Sequence, residues 1–305
     1  MRIFDLHCDT ITECCKKDLS LYKNDLHFSL EKTSEYESYT QVFAVWILDE
    51  YRGVEARKYF NKVADYFYNE IEKNKSIISI YGDDKVTPVK GILAVEGASA
   101  CGGTLEGLEE MYQRGVRLVT LTWNGTNEIA GGALTEGGFT DFGREFVKRA
   151  EEYGIILDVS HLNKESFWEF CEFATKPFIA SHSNGDIVDN PYAQKRNLTQ
   201  AQIQKIKSVN GIIGLNFYRT FIETEDAQGI DALARQIEYF LSLGCEDLMA
   251  LGSDFDGCKI HEDLNRVDKL KNVYNTLHKK GFSIELLDKI FYGNAERFFK
   301  ENIKK

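Results

Sequence analysis

Proline is scarce in this chain, three residues in 305, and glycine sits at turns rather than in runs. No stretch therefore reads as a linker, and no internal repeat is visible. C-x-x-C pairs are missing as well. The seven cysteines are scattered, and the adjacent Cys14 and Cys15 are poorly placed for a disulfide. That pattern predicts reduced thiols in a cytoplasmic protein, several of them in the core, and argues against a zinc–thiolate site. No apolar run reaches the roughly 18 residues that a spanning helix needs. The chain does not open with a basic segment followed by a long apolar one. It ends in Glu301-Asn302-Ile303-Lys304-Lys305, a charged end rather than a lipid-anchor tail. The expectation is a protein with no membrane attachment. Basic excess is also lacking: the net charge of −11 disfavours nucleic acid and anionic lipid surfaces as partners.

What is present is alternation. Short β-branched or aromatic runs at Ile3–Asp9, Val42–Leu48, Gly91–Glu96, Val116–Thr122, Ile155–His161, Phe178–His182, Ile212–Phe217 and Leu248–Asp254 are nearly continuous apolar stretches. Strands buried on both faces look like this. Helix-period segments follow at Val54–Lys73, Asp141–Tyr153, Lys164–Ala174, Thr199–Val209, Asp231–Leu243, Asp268–Lys279 and Ile284–Asn302. A hydrophobic content of 43% fills a sizeable core, and 305 residues suit one domain spanning 1–305. Eight strands alternating with helices predict an α/β fold, a (β/α)8 TIM-type barrel with extra C-terminal helices. An open doubly wound sheet is the runner-up, but no G-x-G-x-x-G follows the first strand.

In such a barrel the chemistry sits where the strands end. The first run ends in His7-x-Asp9, a spacing that points both side chains to one side of a strand. The third ends in Glu96, the fourth in Trp123-Asn124, the fifth in Asp158 and His161, the sixth in His182, and the last in Asp254 and Asp256. Singly, each has a bland reading as a hydrogen-bonding or helix-start group. Jointly they are costly unless paired or metal-bound, because charged groups at that depth lose their hydration. His27, His261 and His278 lie in polar or helical stretches and read as non-catalytic. His7, Asp9, Glu96, His161 and His182 are too many ligands for one catalytic zinc. They suit two divalent ions, zinc by donor type, sharing Glu96 as a bridge. Asp254 is then placed to move a proton.

The segments DLHCDT, AVEG, LTWNGTN, LDVSH, ASHS, KRNLT, LNFY and GSDFDG, in this order, resemble the membrane dipeptidase (renal dipeptidase) family of metallopeptidases on an amidohydrolase-like barrel. The resemblance implies a dipeptidase in which a metal-bridging hydroxide attacks the peptide bond of dipeptides, a D-residue being allowed at the C-terminal position. It assigns one ion to His7, Asp9 and Glu96 and the other to Glu96, His161 and His182. It makes Asp254 the acid/base and gives Arg196 the grip on the substrate's carboxylate, where an ordinary surface arginine is the bland alternative. Tyr218 either lines the substrate site or is simply packed at a strand end. Animal-type members carry a histidine where this chain has Trp123. Indole donates one hydrogen bond and carries no proton. Either Asn124 or a metal then meets the oxyanion, or the substrate range differs. Two alternatives stay open: a binuclear amidohydrolase acting on N-acyl amino acids, cyclic amides or lactones, and a barrel that binds metal and a peptide-like ligand without turnover. The presence of both Glu96 and Asp254 argues against the second. A homodimer is the default assembly for a soluble enzyme.

Overall fold

The computed structural model describes residues 1–303; the charged terminal pair Lys304 and Lys305 of the sequence reading lies outside the described residues. Nine strands form one all-parallel sheet: β1 (Arg2–Cys8), β2 (Ser38–Trp46), β3 (Ile78–Ile80), β4 (Val89–Glu96), β5 (Val116–Thr120), β6 (Ile156–Asp158), β7 (Ile179–Ala180), β8 (Ile212–Leu215) and β9 (Met249–Leu251). β2 pairs with β4 from Tyr39↔Val89 to Trp46↔Glu96, which closes eight of the strands into a barrel. β3 pairs only with β4 and lies outside the ring. Three residues long, it is too short to register as an apolar run.

Period-two alternation divides each strand between two cores. Phe4, Leu6, Val42, Ile92, Ala94, Leu118, Ile156, Ile179, Ile212 and Ala250 form one buried cluster, to which the C-terminal helix Asn294–Asn302 adds Phe298 and Phe299. Phe4 and Phe299 meet ring to ring at 4.8 Å, so this helix plugs the end of the barrel away from the strand C-termini. The residues between these, such as Phe43, Val45 and Val119, pack outward with Phe60, Phe67 and other helix residues.

The barrel is the one expected, but its strands are shorter. The runs Ile155–His161, Phe178–His182 and Leu248–Asp254 keep strand geometry only over Ile156–Asp158, Ile179–Ala180 and Met249–Leu251. The polar residues that follow leave the sheet, two of them through left-handed backbone, His161 at φ 69° and Asp254 at φ 60°. Asp9 is likewise not on β1. It precedes the helix Thr10–Lys17, which the sequence reading did not include. Other short helices, Leu105–Gln113, Pro191–Arg196 and Arg219–Ile222, also escaped, having too few turns to show a period. The expected helix Ile284–Asn302 is interrupted by a π-helical turn at Lys289–Gly293. No helix among the described residues is long and apolar enough to cross a membrane.

Glycine is required where β7, β8 and β9 converge. A Cβ on Gly214 or Gly252 would lie 1.9 or 2.0 Å from the Ser181 carbonyl oxygen, and neither backbone has room to retreat. Gly214→Ala is expected to destabilise the fold by roughly 2–3 kcal/mol or more, the range of overpacking a core. Urea denaturation measures it, and a loss under about 0.5 kcal/mol would show that the strands are not packed this closely.

Candidate active site

The first histidine reaches the site through an irregularity in β1. Against β2 the register runs Asp5↔Gln41 and then Cys8↔Phe43, so β1 spends one extra residue there. Cys8 consequently joins the outer core with Ile3 and Phe43, and His7 turns to the barrel axis. Glu96 needs no such device. It continues the inward row Ile92, Ala94 of β4. His161 and His182 follow β6 and β7, and all four side chains are buried.

These groups converge. His7 Nε2 lies 3.7 Å from Glu96 Oε2, 3.8 Å from Asp9 Oδ2 and 3.9 Å from Asp254 Oδ1. On the other side of the carboxylate, Glu96 Oε1 is 2.9 Å from His161 Nε2 and 3.3 Å from His182 Nε2. The two oxygens of Glu96 thus face different histidines. His7, Glu96 and His182 form one group able to share an ion, and His7, Asp9 and Asp254 form another.

Hydrogen bonding fixes which nitrogens carry lone pairs. His161 Nδ1 meets Asn124 Oδ1 at 2.9 Å, so that nitrogen is the donor. His182 Nδ1 meets Ser181 Oγ at 2.7 Å, and that hydroxyl donates to Asp158 Oδ2 at 2.6 Å. Both Nε2 atoms then present lone pairs, 2.9 Å from each other and close to Glu96 Oε1. With Glu96 ionised, three acceptors meet there without a donor, an arrangement that a cation satisfies. Among the described residues, His7 Nδ1 and Nε2 and Asp9 Oδ1 are buried without hydrogen-bond partners, which fits atoms that would ligate a metal.

Electrostatics agree with this. Burial, with the positive charges of Arg196 and His7 added, holds His161 and His182 well below ordinary imidazole, which keeps them neutral and ligand-competent. Burial opposes charge on His7, yet Glu96, Asp9 and Asp254 together push it up to about 10. Burial raises Glu96 far above the carboxylate range, against the pull of His7, and Asp9 and Asp254 raise it further. The cluster therefore calls for positive charge, and N/O donors of this kind fit a divalent metal.

A cavity of about 530 Å³ opens onto this cluster. Of the residues expected in the site, Asp9, Glu96, Trp123, Asn124, His161, Arg196, Tyr218 and Asp254 line it, while His7 and His182 lie behind the wall. Arg196 is not a surface residue. It ends the helix Pro191–Arg196 at 4% exposure, its guanidinium sits over the Phe221 ring at 5.4 Å, and its Nε has no partner. Trp123 packs edge to face on Trp46 at 5.0 Å. Asn124 spends its side-chain oxygen on His161. Asp254 Oδ2 accepts from Asn216 Nδ2 at 3.0 Å, which leaves Oδ1 facing His7.

The supporting groups were harder to find from sequence. Asp158 accepts from Thr120 Oγ1, Ser160 N, Ser181 N and Ser181 Oγ, and so steers His182 through Ser181. Asp256 accepts from Thr10 Oγ1 and His27 N and does not point at the histidine cluster; its own N–H donates to His27 Nδ1. Tyr192 carried no motif signal, and Asn216 lay in LNFY with no role assigned to it. Only their place after β8 and beside Arg196 gives them a role.

A model of the membrane dipeptidase family, peptidase family M19, matches residues 1–305. The uncharacterized protein in the pqqA 5′ region of Klebsiella pneumoniae is 32% identical over 230 residues, covering 72% of this chain and 83% of its own. An uncharacterized dipeptidase of Schizosaccharomyces pombe is 28% identical over 219 residues, covering 70% of this chain and 53% of its own. Among solved structures, a metallopeptidase from Rhodobacter sphaeroides, liganded with a phosphinate mimic of L-Ala-D-Ala, superposes with a TM-score of 0.90 at 22% identity, over 99% of both chains. A family M19 dipeptidase gives 0.88 at 23% identity, over 99% of this chain and 98% of its own. At such identities these structures speak for the fold.

The Asp158–Ser181–His182 chain leads to a measurable expectation. Asp158→Asn removes the acceptor that orients Ser181, and the affinity of metal-free protein for zinc should fall roughly 10–100-fold. Competition with a chromophoric chelator measures this. An affinity within about three-fold of the parent would show that Ser181 alone suffices.

Proposed function

The chain belongs to the membrane dipeptidase family and is a metal-dependent dipeptidase, and we propose that it works with two divalent ions, zinc by donor type, joined by Glu96. His7 and Asp9 complete one ligand set, and His161 and His182 the other. The observation that carries this reading is the splitting of Glu96: Oε2 toward His7, Oε1 toward the other two histidines. Ions held there supply Lewis acidity, polarising the scissile carbonyl and making water acidic enough to attack near neutral pH.

The remaining chemistry belongs to the chain's own groups. Arg196 takes the free carboxylate of the peptide. A buried guanidinium braced on Phe221 loses little freedom on binding and suits bidentate recognition. Requiring a terminal carboxylate at Arg196, on the same cavity as the Glu96 cluster, restricts substrates to short peptides. Tyr218, Trp123 and Asn124 form walls of the same cavity. Asp254 Oδ1 accepts the proton of the attacking water and delivers it to the leaving amine, while Asn216 holds Oδ2 and keeps the carboxylate aimed. The substrate range extends to a D-residue at the C-terminal position, in keeping with the dipeptide mimic bound by the Rhodobacter relative. Residues 1–305 act as one unit, because the ligand sets draw on segments from His7 to His182. The seven free thiols favour a reducing compartment, the cytoplasm.

Turnover of an L-Xaa-L/D-Xaa panel by zinc-loaded protein, abolished by chelator and restored by metal, tests the whole reading. A preparation inert on every member would refute it. Asp254→Asn should lower kcat by roughly 10²–10⁴-fold while KM and metal content hold. Arg196→Met should lower kcat/KM by roughly 30-fold or more, since it removes a buried charge partner. It should also abolish the discrimination between free dipeptides and their C-terminal amides. If the variant still preferred free carboxylates, the grip would lie elsewhere.

A further inference from the structure

One charged group on the cavity wall has no use in the scheme above. Asp9, Glu96 and Asp254 belong to the ion cluster, and Arg196 to the terminal carboxylate. Glu13 is spoken for by Lys16 at 3.3 Å and Lys17 at 2.8 Å. Asp256 is tied by Thr10 Oγ1 at 2.5 Å and His27 N at 2.6 Å. Lys259 remains. It lines the cavity and is exposed, and its ammonium makes no ion pair or hydrogen bond among the described residues.

Its position is set by backbone. Arg219 N donates to Lys259 O at 3.1 Å, and the neighbouring Ile260 bridges to Tyr218. Tyr218 stacks edge-on to Phe221 at 4.7 Å, and Phe221 carries the Arg196 guanidinium. Lys259 is therefore anchored at the Arg196 end of the cavity, where the C-terminal residue of a dipeptide would lie. Its flexible four-carbon stem lets the ammonium reach inward. Of the other charged side chains on the wall, Asp9, Glu13, Glu96, Asp254 and Asp256 are acidic and Arg196 is assigned to the α-carboxylate, so a second carboxylate on the substrate would find its uncommitted cation here.

We propose that Lys259 determines specificity for the C-terminal side chain, favouring dipeptides with an acidic residue, aspartyl or glutamyl, at that position. The inference rests on the dipeptidase reading and on Arg196 as the grip for the α-carboxylate. It adds a second cation for a second anion.

The test compares kcat/KM for L-Ala-Glu with the near-isosteric L-Ala-Gln, in both stereochemical series, on zinc-loaded parent, Lys259→Met and Lys259→Glu. The Glu-to-Gln ratio is an internal reference, so partial loss of folded protein does not affect it. The parent should prefer Glu about five-fold, the upper end for a solvent-accessible ion pair. The preference should shrink between about 50 and 500 mM salt as screening sets in. The ratio should drop to about unity in Lys259→Met and below it in Lys259→Glu. A parent ratio at or below unity, or a ratio unchanged in Lys259→Met, overturns the proposal while leaving the dipeptidase reading intact. Failure of the parent on every dipeptide overturns both.

Discussion

A glutamate carboxylate held at 3% exposure, with no arginine or lysine paired to it, is a large unfavourable term by itself. Glu96 bears that cost at the end of β4, and much of the surrounding architecture follows from it. His7, His161 and His182 approach it from three other strands, all aiming Nε2 at its oxygens. Two of these imidazoles are kept neutral, with the tautomer set from behind by Asn124 and Ser181. The cluster is stable as built only if positive charge enters it. Metal binding and the folding of the barrel's upper rim are therefore thermodynamically linked.

The barrel supplies the precision. Trp46 and Glu96 are register partners across β2 and β4, and Thr120 and Asp158 across β5 and β6, so wall and support positions follow from strand pairing. Gly214 and Gly252 let three strands close around the Ser181 carbonyl, directly beneath His182. An added methyl there would disturb a site residue as well as the core. That is why the same position governs stability and chemistry.

Much of this was legible in the sequence because a closed parallel barrel writes itself as apolar runs ending in polar residues. The eight barrel strands and the assembly of His7, Asp9, Glu96, His161, His182 and Asp254 around one cavity could be anticipated that way, whereas Arg196 came only from the family resemblance of KRNLT. What was not legible has a common cause, local departure from periodicity. The extra residue in β1 is invisible in IFDLHCDT, and the i, i+2 argument for His7 and Asp9 reached a correct proximity by an incorrect route. Asp9 lies beyond the strand, and it is the register shift that turns His7 inward. Asp158 looked like another strand-end acid. Its four donors, supplied by three different segments, make it a brace for His182 instead.

Trp123 shows how a single exchange redistributes labour in such a site. An imidazole at that position could share in proton transfer; an indole packed against Trp46 cannot. Asn124 is not free to substitute, since its oxygen orients His161. Proton movement in the proposed reaction therefore concentrates on Asp254, the acid with one oxygen fixed by Asn216 and the other facing the cluster. Trp123, with Trp46, presents indole surface to the cavity. Aromatic surface lowers the local dielectric relative to water and strengthens the charge interactions made beside it. With no titratable group at position 123, the demand on the geometry of Asp254 rises, and Asn216 is the side chain that meets it.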